Sequence, residues 1–233
     1  MHRVAPLAVH KAAPVPSAAV TPTLPADPLG VDTPDEVDAL LVRMFALVSE
    51  GLAAASAAFL DGDRAMAQGV VAGDRAVDDL QRLVEDLVET RLMRPGETDP
   101  REVRLLISML RIAPELERSG DLIEHIALRT PQRLTEGITP RARGLLAEMA
   151  SVASMLWLGA ADAYVDRDPA RVEDLRRQDD ALDDLHVELT AELAKGQTSI
   201  AQAIELGLIA RFYERLGDHA VNIARRIRYL TDG

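Results

Sequence analysis

The chain has 233 residues, a formal net charge of −12 and no cysteine. The lack of cysteine excludes disulfides, thiolate metal ligands and cysteine nucleophiles. The negative charge, with only 3% aromatic residues, disfavours a nucleic-acid-binding surface. A high content of Ala, Leu, Arg, Glu and Asp favours helices over sheets.

The N-terminal segment differs in composition from the rest of the chain. Residues 1–33 are rich in Ala and Pro and contain few large apolar residues, which predicts a disordered tail that is partly polyproline-like. Its prolines interrupt any apolar core of a signal peptide. No uninterrupted apolar run in the chain approaches the length of about 20 residues that spans a bilayer. We therefore expect a cytoplasmic protein.

The rest of the chain carries the apolar period of helices. Six segments show it, at about 34–60, 64–91, 101–128, 141–165, 168–195 and 197–230. They form two runs of three without a strand signal. This predicts an all-α fold of two tandem, pseudo-symmetric three-helix bundles with six long antiparallel helices, in domains at 34–132 and 138–233. Pro114, inside the third segment, is expected to kink or break that helix.

An internal repeat supports the division into two halves. Residues 112–129 align with residues 209–226, and nine of the eighteen positions are identical. Residues 74–80 match residues 179–185, and five of the seven positions are identical. Such repetition indicates that the second and third helices of each half are equivalent.

Acidic pairs occur at equivalent places in both halves. The four pairs are Asp74 with Asp78, Glu117 with Asp121, Asp179 with Asp183, and Glu214 with Asp218. Residues four apart share one face of a helix, and neighbouring helices of an antiparallel hairpin can bring two pairs together. Four converging carboxylates form a hard oxygen ligand set that suits Mg, Mn, Ca or ferric iron, and that Zn also accepts. Gly120 and Gly217 recur inside these motifs, although a mid-helix Gly costs about 1 kcal/mol relative to Ala.

Other interpretations of these residues are open. Acidic residues four apart are common in an acidic helical protein, so the pairs could be solvated helix faces without metal, on a helical interaction module. A carboxylate-bridged metalloenzyme is a further alternative, although the sequence offers no positioned base. His219 is expected to be a surface residue or a hydrogen-bonded partner and not a ligand. Trp157 is expected to pack against Met155 and Leu158.

The motifs resemble a known family. Two tandem three-helix units with these acidic pairs, and the run Glu-Arg-Leu-Gly-Asp-His-Ala-Val-Asn-Ile-Ala at 214–224, resemble the PhoU family over residues 35–231. The first half departs from the family pattern, because Ser119 and Leu122 stand where the family often has an apolar residue and His.

This resemblance implies a function. PhoU proteins bind multinuclear clusters of iron or zinc on the eight carboxylates, and manganese or magnesium are alternatives here. They are usually homodimers without established catalytic activity. They act in the cytoplasm beside the ATPase of the phosphate ABC transporter and a phosphate-sensing histidine kinase, and they keep uptake and the phosphate regulon low when phosphate is plentiful. The resemblance therefore implies a regulator that reaches the membrane only through these partners.

Overall fold

The computed structural model describes residues 33–94 and 99–231, which are almost entirely helical and contain no strand. The helices are α1 (Thr33–Asp61), α2 (Arg64–Gly73), α3 (Arg75–Leu92), α4 (Pro100–Ala127), α5 (Pro140–Val165), α6 (Arg171–Leu193) and α7 (Ile200–Thr231). A short 3₁₀ turn, Thr130–Gln132, follows α4. The six predicted helices and the all-α fold are confirmed, and the second predicted helix consists of α2 and α3. The predicted tail lies outside the described residues, apart from Thr33.

Short polar side chains begin several of these helices. The carboxylate of Asp63 accepts hydrogen bonds from the first turn of α2, and Asp99 does the same for α4. The hydroxyl of Thr139 caps α5. Pro100 and Pro140 occupy first helical positions, where the missing N–H would have no partner in the helix. These local signals place the starts of the helices close to where the sequence predicts them.

The second predicted helix is divided at Asp74. The backbone there is still helical, with φ −56° and ψ −43°, so the interruption is confined to one residue. Gly73 precedes it, and the N–H of Val77 donates to the carbonyl of Asp74 at 2.9 Å, which tightens the first turn of α3. The break therefore lies at the first residue of the acidic motif.

The third predicted helix is not broken at Pro114. Helix α4 runs without interruption from Pro100 to Ala127. The residues beside the proline, Ile112, Ala113 and Leu116, are fully buried. Packing on both sides of the proline keeps the helix continuous, although proline removes one backbone hydrogen bond.

The two halves each form a bundle and pack against one another. Helix α1 contacts α2, α3 and α4 in the first half, while α5, α6 and α7 contact one another in the second. The halves meet where α4 lies along α7 and where α1 lies along α5. Apolar side chains fill the space between the helices. The largest fully buried side chains are those of Trp157, Tyr164, Tyr213, Phe45, Leu41 and Met44.

Polar atoms in this core are paired across helices. The Tyr213 hydroxyl donates to Ser56 Oγ at 3.0 Å, which joins α7 to α1. The Trp157 indole N–H donates to the carbonyl of Leu216 at 3.1 Å, and its ring lies 6.4 Å from that of Phe45. The expectation that Trp157 packs against Met155 and Leu158 is wrong. Those two side chains are more than half exposed, because residues adjacent in a helix point in different directions.

Helices α1 and α5 are strongly apolar on average, although neither is an uninterrupted apolar run. Residues 34–61 and 140–165 are each long and apolar enough to cross a membrane by length and composition, and each contains an 18-residue window with a mean hydropathy of 1.5 or 1.4, respectively. Most of their large apolar side chains lie in the core described above, although Met155, Leu158 and Val165 of α5 are more than half exposed. A central core helix meets the same criteria, so these two helices are weak evidence for a membrane span.

Candidate metal centre

The structure brings the predicted carboxylates of the first half together. Asp74 lies between α2 and α3, Asp78 lies one turn further along α3, and Asp121 lies on α4. One oxygen from each of these three carboxylates lies within 4.8 Å of the others. Glu117, one turn before Asp121, is close enough that Asp121 and Asp78 both raise its pKa. We refer to these four residues as the first cluster.

The carboxylates of the second half also face one another. Asp179 and Asp183 lie on α6, and Glu214 and Asp218 lie on α7. The charges of Asp218, Asp183 and Glu214 all raise the pKa of Asp179. We refer to these four residues as the second cluster. Three carboxylates of the first cluster thus lie within 4.8 Å of one another, while those of the second cluster influence one another electrostatically where α6 packs against α7.

The first carboxylate of each cluster, which is Asp74 or Asp179 and which we call the leading carboxylate, has a strongly raised pKa. Burial, together with the charges of the neighbouring carboxylates, raises the pKa of Asp74 to about 6, and Glu124 has the largest effect among those charges. Burial and then the charge of Asp218 are the main causes that raise the pKa of Asp179, also to about 6. Burial is also the main cause of the raised pKa values of Glu117, Asp183 and Glu214. Both clusters thus hold negative charge that the protein itself compensates only in part.

The repeated glycines explain how the helices approach so closely here. A Cβ atom at Gly120 would lie 3.2 Å from Asp74 Oδ1. A Cβ atom at Gly217 would overlap Asp179 Oδ1 and lie 3.0 Å from Leu182 Cδ2. The missing side chain therefore leaves space for the leading carboxylate against the backbone of the facing helix. This close approach is a structural reason for glycine in the middle of α4 and α7.

The donor set suits a hard cation. Each cluster offers oxygens only, from two facing helices, and the leading carboxylate sits in a space that the facing glycine keeps open. A divalent or trivalent ion would neutralise the mutual repulsion that, after burial, raises the pKa values of these carboxylates. The residues present therefore fit a metal site of the kind that the sequence predicts.

Two charged residues near the clusters were not predicted from the sequence. Glu124 lies one turn beyond Gly120 on α4, and with Asp74 it lines a cavity of about 430 Å³ between α1, α2, α3 and α4. Arg211 lies one turn before Glu214 on α7 and forms an ion pair with it. The repeat alignment could have identified both, because their equivalents, Val221 and Pro114, are uncharged.

The two departures from the family pattern lie away from the first cluster. Ser119 and Leu122 are buried on α4. Ser119 Oγ lies 3.0 Å from Nδ1 of His219, which is itself buried and 3.9 Å from a carboxylate oxygen of Glu115. His219 is therefore a hydrogen-bonded partner between α4 and α7. Ser119 therefore contributes to the contact between the halves, and neither departure changes the set of carboxylates.

We expect metal affinity to fall as the pH is lowered from 7 to 5. Metal ligation needs the carboxylate form, and Asp74 and Asp179 take up protons near pH 6. The metal-free protein should respond in the opposite direction. Its folded state binds protons more tightly than the unfolded chain, where the pKa of Asp is 3.8, so its stability should fall as the pH rises from about 4 through 6.

Thermal unfolding in chelator, at pH 5 and at pH 7, measures the second effect. The matched control is the double variant Asp74→Asn with Asp179→Asn, which should lose much of the difference in melting temperature between the two pH values. An equal difference in the parent and the variant would contradict the assignment to these two carboxylates.

Comparison with known proteins identifies the family. The PhoU domain matches the chain twice, at residues 41–130 and 146–227. The chain is 30% identical over 203 residues to the phosphate-specific transport system accessory protein PhoU homolog 2 of Mycobacterium tuberculosis. That alignment covers 85% of this chain and 94% of the relative. It is 33% identical over 200 residues to the PhoU homolog of Rhizobium meliloti, which covers 82% of each chain.

A solved structure agrees with these sequence matches. The crystal structure of PhoU from Pseudomonas aeruginosa superimposes on this chain with a TM-score of 0.79 and 27% identity, and it covers 86% of this chain and 98% of that one. The sequence matches and this structural match all span both helical bundles. The chain therefore belongs to the PhoU family.

Proposed function

We propose that this chain is a metal-binding cytoplasmic regulator of phosphate uptake and of phosphate-regulon signalling. It acts by contact with the ATPase of the phosphate ABC transporter and with a phosphate-sensing histidine kinase, and it restrains both when phosphate is plentiful. Its relatives are named accessory proteins of phosphate-specific transport systems, which supports a regulatory role in phosphate transport. The observation that carries the proposal is the first carboxylate cluster, on a PhoU scaffold whose second half repeats the same acidic motifs.

The proposal includes metal ions in both clusters. Asp74, Asp78, Glu117 and Asp121 would hold the metal of the first half, and Asp179, Asp183, Glu214 and Asp218 that of the second. Multinuclear iron or zinc is our first expectation, with manganese or magnesium as the alternatives. Bound metal would supply positive charge between α3 and α4, and between α6 and α7. The carboxylates would then hold these helix pairs together instead of repelling one another.

Contact, and not catalysis, is the proposed mode of action. None of the eight carboxylates is fully buried, while the other faces of the helices that carry them fill the core. Such a scaffold presents a surface whose charge depends on metal occupancy, and a partner protein can recognise that surface electrostatically. Most apolar side chains of α1 and α5 are used within the fold, and in this proposal the protein reaches the membrane through the transporter and the kinase.

Pairing with a second copy is also part of the proposal. Ile200, Ile204 and Leu208 follow one another at four-residue spacing on α7, and their exposures are 81%, 59% and 39%. A stripe of this kind can pack against itself about a two-fold axis. We expect sedimentation equilibrium to give twice the mass of one chain, and Ile204→Glu to give a monomer with unchanged helical content. A monomeric parent protein would contradict the homodimer.

Deletion of the gene tests the regulatory function. We expect alkaline phosphatase expression or phosphate uptake to rise in phosphate-rich medium, because the restraint is removed. The full chain should restore repression. A version that lacks residues 1–33 should also restore it, because that segment carries no part of the repeat. Unchanged expression on deletion, with no co-purification of transporter or kinase, would contradict the proposed function.

Metal analysis separates the proposal from its alternatives. The purified protein should retain metal after refolding with iron, zinc or manganese and desalting. A protein that retains none of these metals would support the metal-free interaction module. Oxygen consumption or hydrolysis by the loaded protein would support the metalloenzyme.

A further inference from the structure

The two clusters differ in the charged residues that surround them, although their own carboxylates match. Glu124 lies on the same face of α4 as Glu117 and Asp121, seven and three positions later, so it extends the acidic row by one turn. Among all neighbouring charges, that of Glu124 raises the pKa of Asp74 most. In the second half the equivalent residue is Val221, which is buried. The first cluster therefore has a fifth carboxylate.

The second cluster carries a cation of its own. Arg211 forms an ion pair with Glu214, whose side chain is only 13% exposed. The same guanidinium lowers the pKa values of Glu214 and Asp183, although burial outweighs it at both groups. Proline occupies the equivalent position in the first half, at 114, and cannot supply a charge. Arg211 thus shows that the second cluster attracts a cation and that part of its charge is already neutralised.

Other charged groups at the rims do not explain the difference. In the first half, Arg82 lies 3.6 Å from Asp78, but it is mostly exposed and lies closer, at 2.6 Å, to Asp79. Glu85 adds a negative charge beside Glu117. In the second half, Asp180 adds a negative charge beside Asp179 and Asp183, while His186 favours the charged form of Asp183. Arg118 also lowers the pKa of Glu117, although its side chain is more than half exposed and pairs with Glu115. Acidic and basic residues therefore surround both clusters, and the main inequality left is Glu124 on one side and the ion pair of Arg211 with the largely buried Glu214 on the other.

We infer that the two clusters are unequal metal sites, and that the first binds a divalent cation more tightly because Glu124 adds a carboxylate while Arg211 competes for the second. This inference rests on the proposed metal binding and deepens it. Glu124 also lines the cavity of about 430 Å³ beside Asp74. That space would admit the water ligands that ions such as Mn²⁺ and Mg²⁺ retain. Glu124 thus influences the metal affinity of the first cluster, and Arg211 influences that of the second.

Titration with Mn²⁺ alone, followed by the electron paramagnetic resonance of the free ion, measures each cluster separately. One variant retains only the second cluster, through Asp74→Asn, Asp78→Asn, Glu117→Gln and Asp121→Asn. The reciprocal variant retains only the first, through Asp179→Asn, Asp183→Asn, Glu214→Gln and Asp218→Asn. We expect the variant with the first cluster to bind Mn²⁺ more tightly. Circular dichroism checks that both variants keep the helical content of the parent.

Single substitutions in these two backgrounds test the two residues. Glu124→Gln should weaken the first cluster by about tenfold or more, as the loss of a group that supports metal ligands typically does. Arg211→Gln should tighten the second by about threefold or more, a smaller change because its exposed charge is partly screened. Arg215→Gln is the matched control. It removes the same charge one turn further along α7 and should leave the affinity of the second cluster almost unchanged.

The outcomes distinguish this inference from the proposed function. Equal affinities in the two backgrounds, or tighter binding by the second cluster, would overturn the inequality and leave metal binding intact. Equal effects of Arg211→Gln and Arg215→Gln would overturn the role of Arg211. Binding of Mn²⁺, zinc and iron by neither background would overturn the inequality and the metal proposal together.

Discussion

Replacing all eight cluster carboxylates with their amides is expected to abolish metal binding and to stabilise the metal-free protein. The amides keep the shape of the side chains but remove the charge that would attract a cation. Like charges at four-residue spacing cost a few tenths of a kcal/mol for each pair, so relief of four pairs should raise the free energy of unfolding by about 1 kcal/mol. Few substitutions that remove a functional site also stabilise the fold, which makes this combination diagnostic.

Elemental analysis after refolding with metal, and thermal unfolding in chelator, measure the two effects. The control is a pair of equal spacing outside the clusters, Asp162→Asn with Asp166→Asn. These carboxylates lie 3.3 and 2.9 Å from nitrogens of Arg171. The control should therefore keep its metal and lose a few tenths of a kcal/mol instead of gaining stability. Metal retention by the eightfold variant would show that the ions bind elsewhere.

The contrast between these acidic pairs shows what spacing alone can predict. Asp162 and Asp166 have the same spacing as Asp179 and Asp183, yet they pair with an arginine while the cluster residues face other carboxylates. Local spacing places two charges on one face of a helix, but it does not determine what lies opposite. The repeat supplied that information, because equivalent acidic pairs recur on two neighbouring helices of each half.

The helices were predictable because their signals are local. Apolar period, capping residues and proline positions all act within a few residues, and they place the long helices within a few positions of their observed ends. The division at Asp74 was missed because the feature that accompanies it is distant. The Asp74 carboxylate occupies the space left by Gly120, which lies on another helix. Continuity of α4 through Pro114 depends in the same way on packing that the local sequence does not reveal.

The contact between the halves was not predictable from the repeat. Ser119 and His219 are a hundred residues apart in sequence and occupy non-equivalent positions, yet they form a hydrogen bond between α4 and α7. The alignment of one half on the other describes what the halves share and not how they meet. The family pattern marks position 119 only as a departure, whereas its contact with His219 assigns it to the interface between the halves.

Gly217→Ala is expected to destabilise the protein and to weaken the second metal site, whereas Gly120→Ala is not. Alanine gains about 1 kcal/mol of helix propensity at either position. At Gly217 the new Cβ would overlap Asp179 Oδ1 and press on Leu182, and overpacking of this kind costs about 1–3 kcal/mol. At Gly120 its nearest neighbour would be Asp74 Oδ1 at 3.2 Å, and that carboxylate can rotate by a few tenths of an ångström.

The two alanine variants are therefore matched controls for one another. In chelator, Gly217→Ala should lower the free energy of unfolding by about 1 kcal/mol, while Gly120→Ala should leave it unchanged or raise it by up to about 1 kcal/mol. Displacement of Asp179 should also weaken Mn²⁺ binding in a background that retains only the second cluster. Equal stability changes at both positions would show that the glycines serve helix flexibility, and not the approach of the leading carboxylate to the facing helix.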